Sequence, residues 1–280
     1  MSEEKPLTRE DVLKLIAEHG GPEGLDLSLR NLEGIDLSTH LGEPQFDLHG
    51  IRLEVANLVR TDLMRANLRG ADLVGTNLQE ARLQYAKLQG DDLTGATLSK
   101  AQLNGAYISR DTILEDVNWG AKYILGDEEV KGFQVAAEVY RNLKQWHTQA
   151  GMYDIAGRFY YREMEARRKA GSWKREPGSK LWSWAMRLLC GYGEKAINVV
   201  ATAAIIIFGL AAAYYFLGKF DTETFLNSLY YSVVSFTAVG YGSWAPKPEG
   251  WAKAMGAAEA VIGIFIMALF LVTFTRNMTR

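Results

Sequence analysis

Residues 66–78 read ANLRGADLVGTNL, and the spacing in that stretch decides the fold of the first half of the chain. Leucine returns at every fifth place, which fits neither the 3.6-residue period of a helix nor the two-residue period of a strand. The pattern extends outward from there. Leu48, Leu53, Leu58, Leu63, Leu68, Leu73, Leu78, Leu83, Leu88, Leu93, Leu98, Leu103, Ile108 and Ile113 follow at intervals of five without a gap. Two places before most of them stands a small residue, among them Ala56, Thr61, Ala66, Ala71, Thr76, Ala81, Ala86, Ala96, Ala101 and Ala106. Leu27, Leu32 and Leu37 keep the same period, with an extra residue expected to shift the frame across STHLGEPQFD. A fixed internal period predicts a solenoid. Residues two apart share one side of an extended chain, so the small residue and the leucine both turn inward while polar residues form the corner.

This pattern resembles the pentapeptide-repeat family over about residues 25–117. The resemblance implies a right-handed, four-sided β-helix with four repeats per coil. Asp91 and Asp111 occupy small positions, and local distortion is expected there. Residues 25–117 hold fourteen acids and nine bases, too mixed a surface to favour DNA mimicry; a spacer or assembly module is the better expectation, and no nucleic acid is expected as a partner. Ahead of the repeats, residues 1–24 predict a capping helix with Thr8 as N-cap, Val12, Leu13 and Ile16 on one face and Gly20 as its stop. Residues 118–172 carry helical periodicity in two blocks broken near Gly151. Gly151, Tyr153, Ala156 and Tyr160 there resemble the second helix of a tetratricopeptide repeat, and the segment is expected to form a helical hairpin over the solenoid's other end.

The totals exclude several classes. A formal charge of −2 over 280 residues gives no basis for nucleic-acid binding, and the single cysteine, Cys190, excludes an internal disulfide framework. No nucleophile–base constellation, phosphate loop or metal cluster is evident, so neither an enzyme nor a cofactor is expected. Ala196 to Gly218 is free of charge, and Ala254 to Thr275 holds only Glu259. Twenty-three residues of helix reach about 34 Å, enough to cross a bilayer core of roughly 30 Å. Residues 158–195 carry ten Lys or Arg against four acids, and Arg276 and Arg280 follow the second run, which favours both termini in the cytoplasm. Trp182, Trp184 and Tyr192 on one side, and Tyr214, Tyr215, Trp244 and Trp251 on the other, are expected in the interfacial belts. Residues 173–194 predict a helix on the membrane surface, ending in a GYG turn at 191–193.

Between the two runs lies TFLNSLYYSVVSFTAVGYGSWAPKP, too apolar for an ordinary loop and too short for a third span. Thr224 to Phe236 makes roughly 20 Å of helix, which enters the membrane part-way and returns. Over residues 195–280 this arrangement resembles the pore module of two-transmembrane potassium channels. The resemblance implies a homotetramer in which Thr237, Ala238, Val239, Gly240, Tyr241 and Gly242 line a filter for K⁺ with backbone carbonyls. It also places Tyr230 and Tyr231 as pore-helix aromatics and Gly263 near a hinge. Ala238 stands where the family commonly has Thr, which implies a weaker innermost ion site, and Ser243 stands where many members have Asp. Glu259 is the candidate for support behind the filter, since an intramembrane carboxylate is costly; a wetted place near the outer interface is its alternative. Phe265, Phe270 and Phe274 are candidates for a hydrophobic constriction. No C-terminal regulatory domain is expected after the second run, so regulation is expected through the N-terminal half, with an unknown cytoplasmic partner or ligand for the β-helix. Family analogy points to a bacterial inner (plasma) membrane. The rival expectations are a non-selective cation channel, and a membrane-tethered scaffold with a vestigial pore.

Overall fold

The computed structural model describes residues 5–40, 42–130, 132–172, 177–216, 224–240 and 250–278. Contacts divide the chain into two compact units, Met1–Ala170 and Gly171–Arg280.

In the first unit, parallel bridges join each pentad to the one twenty residues later: Asp47 to Asn67, Asn67 to Lys87, Lys87 to Tyr107. Twenty residues are four pentads, so one coil has four sides. Each side is an isolated bridge rather than a strand, because only about two residues stay extended before the next corner. The ladder is regular, with Leu48 N–H donating to Asn67 O at 2.8 Å and Asn67 N–H to Phe46 O at 2.9 Å. From Leu48 to Leu103, corners fall two places after each inward leucine, where φ turns positive. Gly70 adopts it freely, but Val55, Arg60 and Arg65 hold φ of 56°, 57° and 61°, at about 1 kcal/mol each. Leu48 to Leu103 and the intervening small residues are buried and form one continuous core. Thr61 and Thr76 satisfy their buried hydroxyls by donating to Leu32 O and Leu53 O, each at 2.7 Å.

The register departs from strict fives at two places. Bridges near the start span 26 residues (Asp26 to Arg52, Asn31 to Asn57), so the STHLGEPQFD segment adds a whole pentad as well as the one frame-shifting residue. Near the end, Asp92 pairs with Ile113 and Thr97 with Asn118, a span of 21. One extra residue therefore enters at 109–112 and moves the inward position forward. Leu114 is 1% exposed while Ile113, expected inside, is 40% exposed. Thr112 takes the small position expected of Asp111, and its hydroxyl donates to Leu88 O at 2.6 Å. Asp91 does sit in a small position, fully buried. It accepts the Ala71 N–H at 3.3 Å, and burial pushes its carboxyl from the ordinary 3.8 to about 8.

Both ends of the ladder are covered. Helix α1 (Arg9–His19) starts in a Thr8–Asp11 capping box and stops at Gly20 with φ 85°. The Leu7 N–H bonds Asn31 O at 2.9 Å, and the Arg9 guanidinium bonds Asp36 O and Ser38 O. Val12, Leu15 and Ile16 face the core; Leu13, placed with them by the sequence, is 46% exposed. At the far end the short α2 (Gly126–Glu129) brings Asp127 beneath the last coil, where it accepts Leu103 N–H at 2.7 Å and Asn104 N–H at 3.3 Å. Helices α3 (Phe133–Gln149) and α4 (Tyr153–Ala170) pack on each other and on Trp119 through Tyr140, His147 and Phe159. Two buried acids tie them down. Glu128 meets Tyr140 Oη, Arg162 and Lys169, and Glu163 meets Arg141, Lys144 and Arg167.

The second unit is helical: α5 (Pro177–Cys190), a 3₁₀ turn at Gly191–Gly193, α6 (Ala196–Phe216), α7 (Phe225–Thr237) and α8 (Trp251–Met278). Helices α6 and α8 are long and apolar enough to cross a membrane. Their sides are mostly uncovered, unlike the core helices of a soluble protein, so the chain is a membrane protein with two candidate spans.

Candidate functional site

The site is the seat that α6 and α8 make for the short helix α7. On α8, Ala252, Gly256, Glu259, Gly263 and Ile266 recur at three- and four-residue steps and so share one face. Each meets a particular part of α7 or of α6. The Tyr231 hydroxyl donates to Ala252 O at 3.4 Å. A Cβ on Gly256 would lie 2.2 Å from that hydroxyl, so the absent side chain is what admits the tyrosine. A Cβ on Gly263 would lie 1.9 Å from Phe236 O and 2.7 Å from its carbonyl carbon. There the backbone at the end of α7 rests directly on α8. Ile266 packs with Phe236 and with Val199 of α6.

At the middle of this face, Glu259 is fully buried. Tyr214 of α6 donates to its Oε2 at 2.8 Å, and Ser232 of α7 bonds its Oε1. Ser232 also donates to Ile207 O of α6 at 2.9 Å. One carboxyl thus joins all three helices. The Tyr214 and Tyr231 rings meet edge to face at 5.0 Å above it. Tyr214, expected in an aromatic belt, is instead 1% exposed. Tyr192, assigned to the opposite belt, is likewise buried, its hydroxyl 3.2 Å from Ser183 Oγ. Sequence alone could not find Ser232 or Tyr214 in the network, because neither belongs to a motif.

The two pore-helix tyrosines separate. Tyr231 is buried in the seat, while Tyr230 faces outward at 44% exposure. Helix α7 ends at Ala238 in the left-handed region, φ 51° and ψ 26°, with its N–H on Ser235 O at 3.1 Å. Gly240 follows with φ 101°. Alternate residues therefore take positive φ, and residues 238–240 are exposed in the single chain. The Thr237 hydroxyl turns back to Val233 O at 2.8 Å. Tyr241, Gly242, Ser243 and Trp244 lie outside the described residues. Gly263 sits within an unbroken α8, and its closest neighbour is the Phe236 carbonyl. Phe270 stacks on Phe274 with ring centroids 5.4 Å apart, and Phe265 is exposed. Glu194, in the turn before α6, bonds Arg276 in the last turn of α8 at 2.9 Å. The start of one span and the end of the other are thereby on the same side.

Comparison with known families agrees with both halves. A family model described as an ion channel matches residues 202–280, and a pentapeptide-repeat model matches residues 47–84 and 76–110. Among solved structures, the chain is similar to a thylakoid-lumen pentapeptide repeat protein of Arabidopsis thaliana (27% identity, 39% of this chain and 75% of that one, TM-score 0.31). It is similar also to HetL of Nostoc sp. strain PCC 7120, involved in heterocyst differentiation regulation (28% identity, 33% of this chain and 46% of that one, TM-score 0.26). A further pentapeptide repeat protein of Nostoc PCC 7120 is 30% identical over 41% of this chain and 78% of its own length, TM-score 0.29. No curated protein matches the chain significantly. The conclusion rests on the two family models: one chain combines a pentapeptide-repeat region with an ion-channel pore domain.

Proposed function

We propose that this chain is one quarter of a homotetrameric, potassium-selective channel. Thr237, Ala238, Val239, Gly240, Tyr241 and Gly242 form the filter strand. Its carbonyls replace the hydration shell of K⁺, and four copies around an axis complete the ring. The observation that supports the reading is the three-helix seat around Glu259, which holds α7 against α6 and α8 with its C-terminal end leading into residues 238–240. That helix end carries partial negative charge and favours a cation. Glu259 holds the filter from behind, Tyr231 braces it within the subunit, and exposed Tyr230 braces it against the neighbouring one. Gly263 acts as the point on which the filter helix rests, and bending there during opening moves both. Phe270 and Phe274 narrow the inner mouth as a hydrophobic gate.

The remaining parts follow. Residues 1–24 cap a right-handed β-helix of residues 25–117, residues 118–172 are a helical hairpin, 173–194 lie on the membrane surface and 195–280 form the pore. Both termini are cytoplasmic in a bacterial plasma membrane, and the β-helix serves assembly or regulation through a partner of its own. Ala238 favours one second reading, a less selective cation channel, because its methyl group offers no hydroxyl to the innermost site. Potassium flux into vesicles holding purified protein, with and without Tyr241→Ala, tests the proposal. Selective flux that the substitution abolishes supports it; identical behaviour of the two proteins sinks it.

A further inference from the structure

The residue just before each inward leucine bridges to the coils on either side and points outward, so each side of the solenoid displays one column of such residues. One side displays Asp47, Asn67, Lys87 and Tyr107. The side that follows it displays Arg52, Asp72, Asp92 and Ile113. Between the two runs an edge of glycines, Gly50, Gly70 and Gly90.

Level by level the two columns are complementary. Acid stands against base at Asp47 and Arg52, amide against acid at Asn67 and Asp72, and base against acid at Lys87 and Asp92. The last level is apolar on both sides, with Tyr107 55% and Ile113 40% exposed. The neighbouring edges lack this match. Beyond one of them Ile113 stands level with Asn118, and beyond the other Lys87 stands level with Arg82, a like charge. A single chain cannot use the match, because adjacent sides of a four-sided coil face directions about a right angle apart. Among the described residues Lys87 bonds the neutral Gln45 at 2.6 Å, while Asp72 and Asp92 accept the N–H groups of Val74 and Thr94. None of the three has an ion-pair partner there, although Arg52 and Arg82 do.

A copy turned by a quarter about an axis parallel to the solenoid sets its Arg52 column against the first copy's Asp47 column at the same height. Repeating the operation closes after four copies, as a heterologous ring must. The glycine edges of all four then meet in the middle. Positive φ alone does not demand glycine there, since Val55, Arg60 and Tyr85 hold it at other corners. Nor does the chain crowd Gly70, where a Cβ would meet nothing within 4 Å. Room for other copies accounts for the bare edge.

We propose that the four β-helices of the tetramer dock side to side, the Asp47–Tyr107 column of each on the Arg52–Ile113 column of the next. The partner of the β-helix is thus a second copy of this chain. The inference deepens the channel reading and rests on its fourfold symmetry.

The experiment uses two full-length chains with different tags, one carrying Tyr107→Cys and the other Ile113→Cys, both in a Cys190→Ala background. They are co-expressed, purified in micelles and oxidised. Both positions are exposed, so the core is left intact. A disulfide between the two tags should form about ten-fold faster than any product of either chain alone. It should equally outpace Tyr107→Cys mixed with Asn118→Cys, whose side is turned away from the neighbours. Lys87→Glu in both chains should slow the mixed product about ten-fold, and adding Asp92→Lys should restore it. Same-tag dimers forming as fast as mixed ones would mean a self-complementary contact and overturn the ring. A control pair that links equally fast, or charge reversal without effect, also overturns it. Particle mass and potassium flux separate this from failure of the channel reading. A tetrameric mass without the mixed disulfide overturns the docking and leaves the channel reading standing, whereas a monomeric mass overturns both. The mixed disulfide in a tetramer that passes no potassium supports the docking and rejects the channel.

Discussion

The contact between Gly256 and Tyr231 offers a test in which one substitution should undo another. Adding a methyl group by Gly256→Ala places a Cβ 2.2 Å from the Tyr231 hydroxyl, 3.0 Å from Cζ and 3.3 Å from Cε1. An unstrained carbon–oxygen contact needs about an ångström more, so α7 must shift or the ring must leave its place. Overpacking of this kind costs roughly 1–3 kcal/mol. Tyr231→Phe removes the atom responsible and gives up only the long 3.4 Å bond to Ala252 O, worth about 1 kcal/mol or less. The remaining Cζ and Cε1 contacts in the double variant are tight but within reach of a shift of a few tenths of an ångström. The two changes should therefore couple favourably, by about 1–2 kcal/mol in a double-mutant cycle. Reversible unfolding in mixed detergent micelles measures the cycle, and ion flux follows whether α7 returned to its seat. Strict additivity, or a Gly256→Ala variant as stable as the parent, would refute the packing argument. Gly263→Ala is the control without a remedy. Its Cβ meets the Phe236 carbonyl at 1.9 Å, a backbone group that no partner substitution can trim.

Four further outcomes are expected. Glu259→Gln should retain flux: the Ser232 hydroxyl has one hydrogen facing both Ile207 O and Glu259, and an amide can donate to Ser232 while accepting from Tyr214. Glu259→Ala should lose flux and about 1–3 kcal/mol per orphaned hydroxyl in the same micelle assay. Asp91 holds its proton up to about pH 8 when folded but only to near its ordinary 3.8 when unfolded, so its contribution to solenoid stability should fall as pH rises between those values, by about 6 kcal/mol in all; denaturant titrations should find Asp91→Ala without this loss and more stable than the parent at pH 8. Leu114→Ala should cost about 2–5 kcal/mol and Ile113→Ala under about 1 kcal/mol, the reverse of what strict five-residue spacing requires. Asp127→Ala should expose the Leu103 and Asn104 N–H groups at the end of the ladder and speed hydrogen exchange in the last coil first.

The solenoid was legible because its inward residues repeat: a buried leucine every fifth place needs no long-range information to be read. The insertion at 109–112 was not, since Ile113 and Leu114 are equally apolar and only the pairing of Asp92 with Ile113 shows which turns in. Non-glycine corners such as Val55 and Arg60 carried no signal either, because the stacked ladder imposes their φ. In the second unit, length and charge marked α6 and α8, and the glycines around Tyr241 drew attention to the end of α7. Glu259 could be singled out as the lone charge in its span. Its partners could not, because Tyr214, Ser232 and Glu259 are brought together only by three-helix packing. Gly256 and Gly263 show the same limit: a glycine in an apolar helix suggests a bend, and only the neighbouring Tyr231 hydroxyl and Phe236 carbonyl reveal a close approach. The two tyrosines at 230 and 231 could be taken as a pair until their opposite directions were seen.

The most direct test of the channel reading is the reversal potential of the purified protein in a planar bilayer with potassium on one side and sodium on the other. Currents that reverse close to the potassium equilibrium potential are predicted, and they would make Ala238 a tolerated variation in a selective filter. Reversal near zero would contradict potassium selectivity and assign the chain to the poorly selective cation channels.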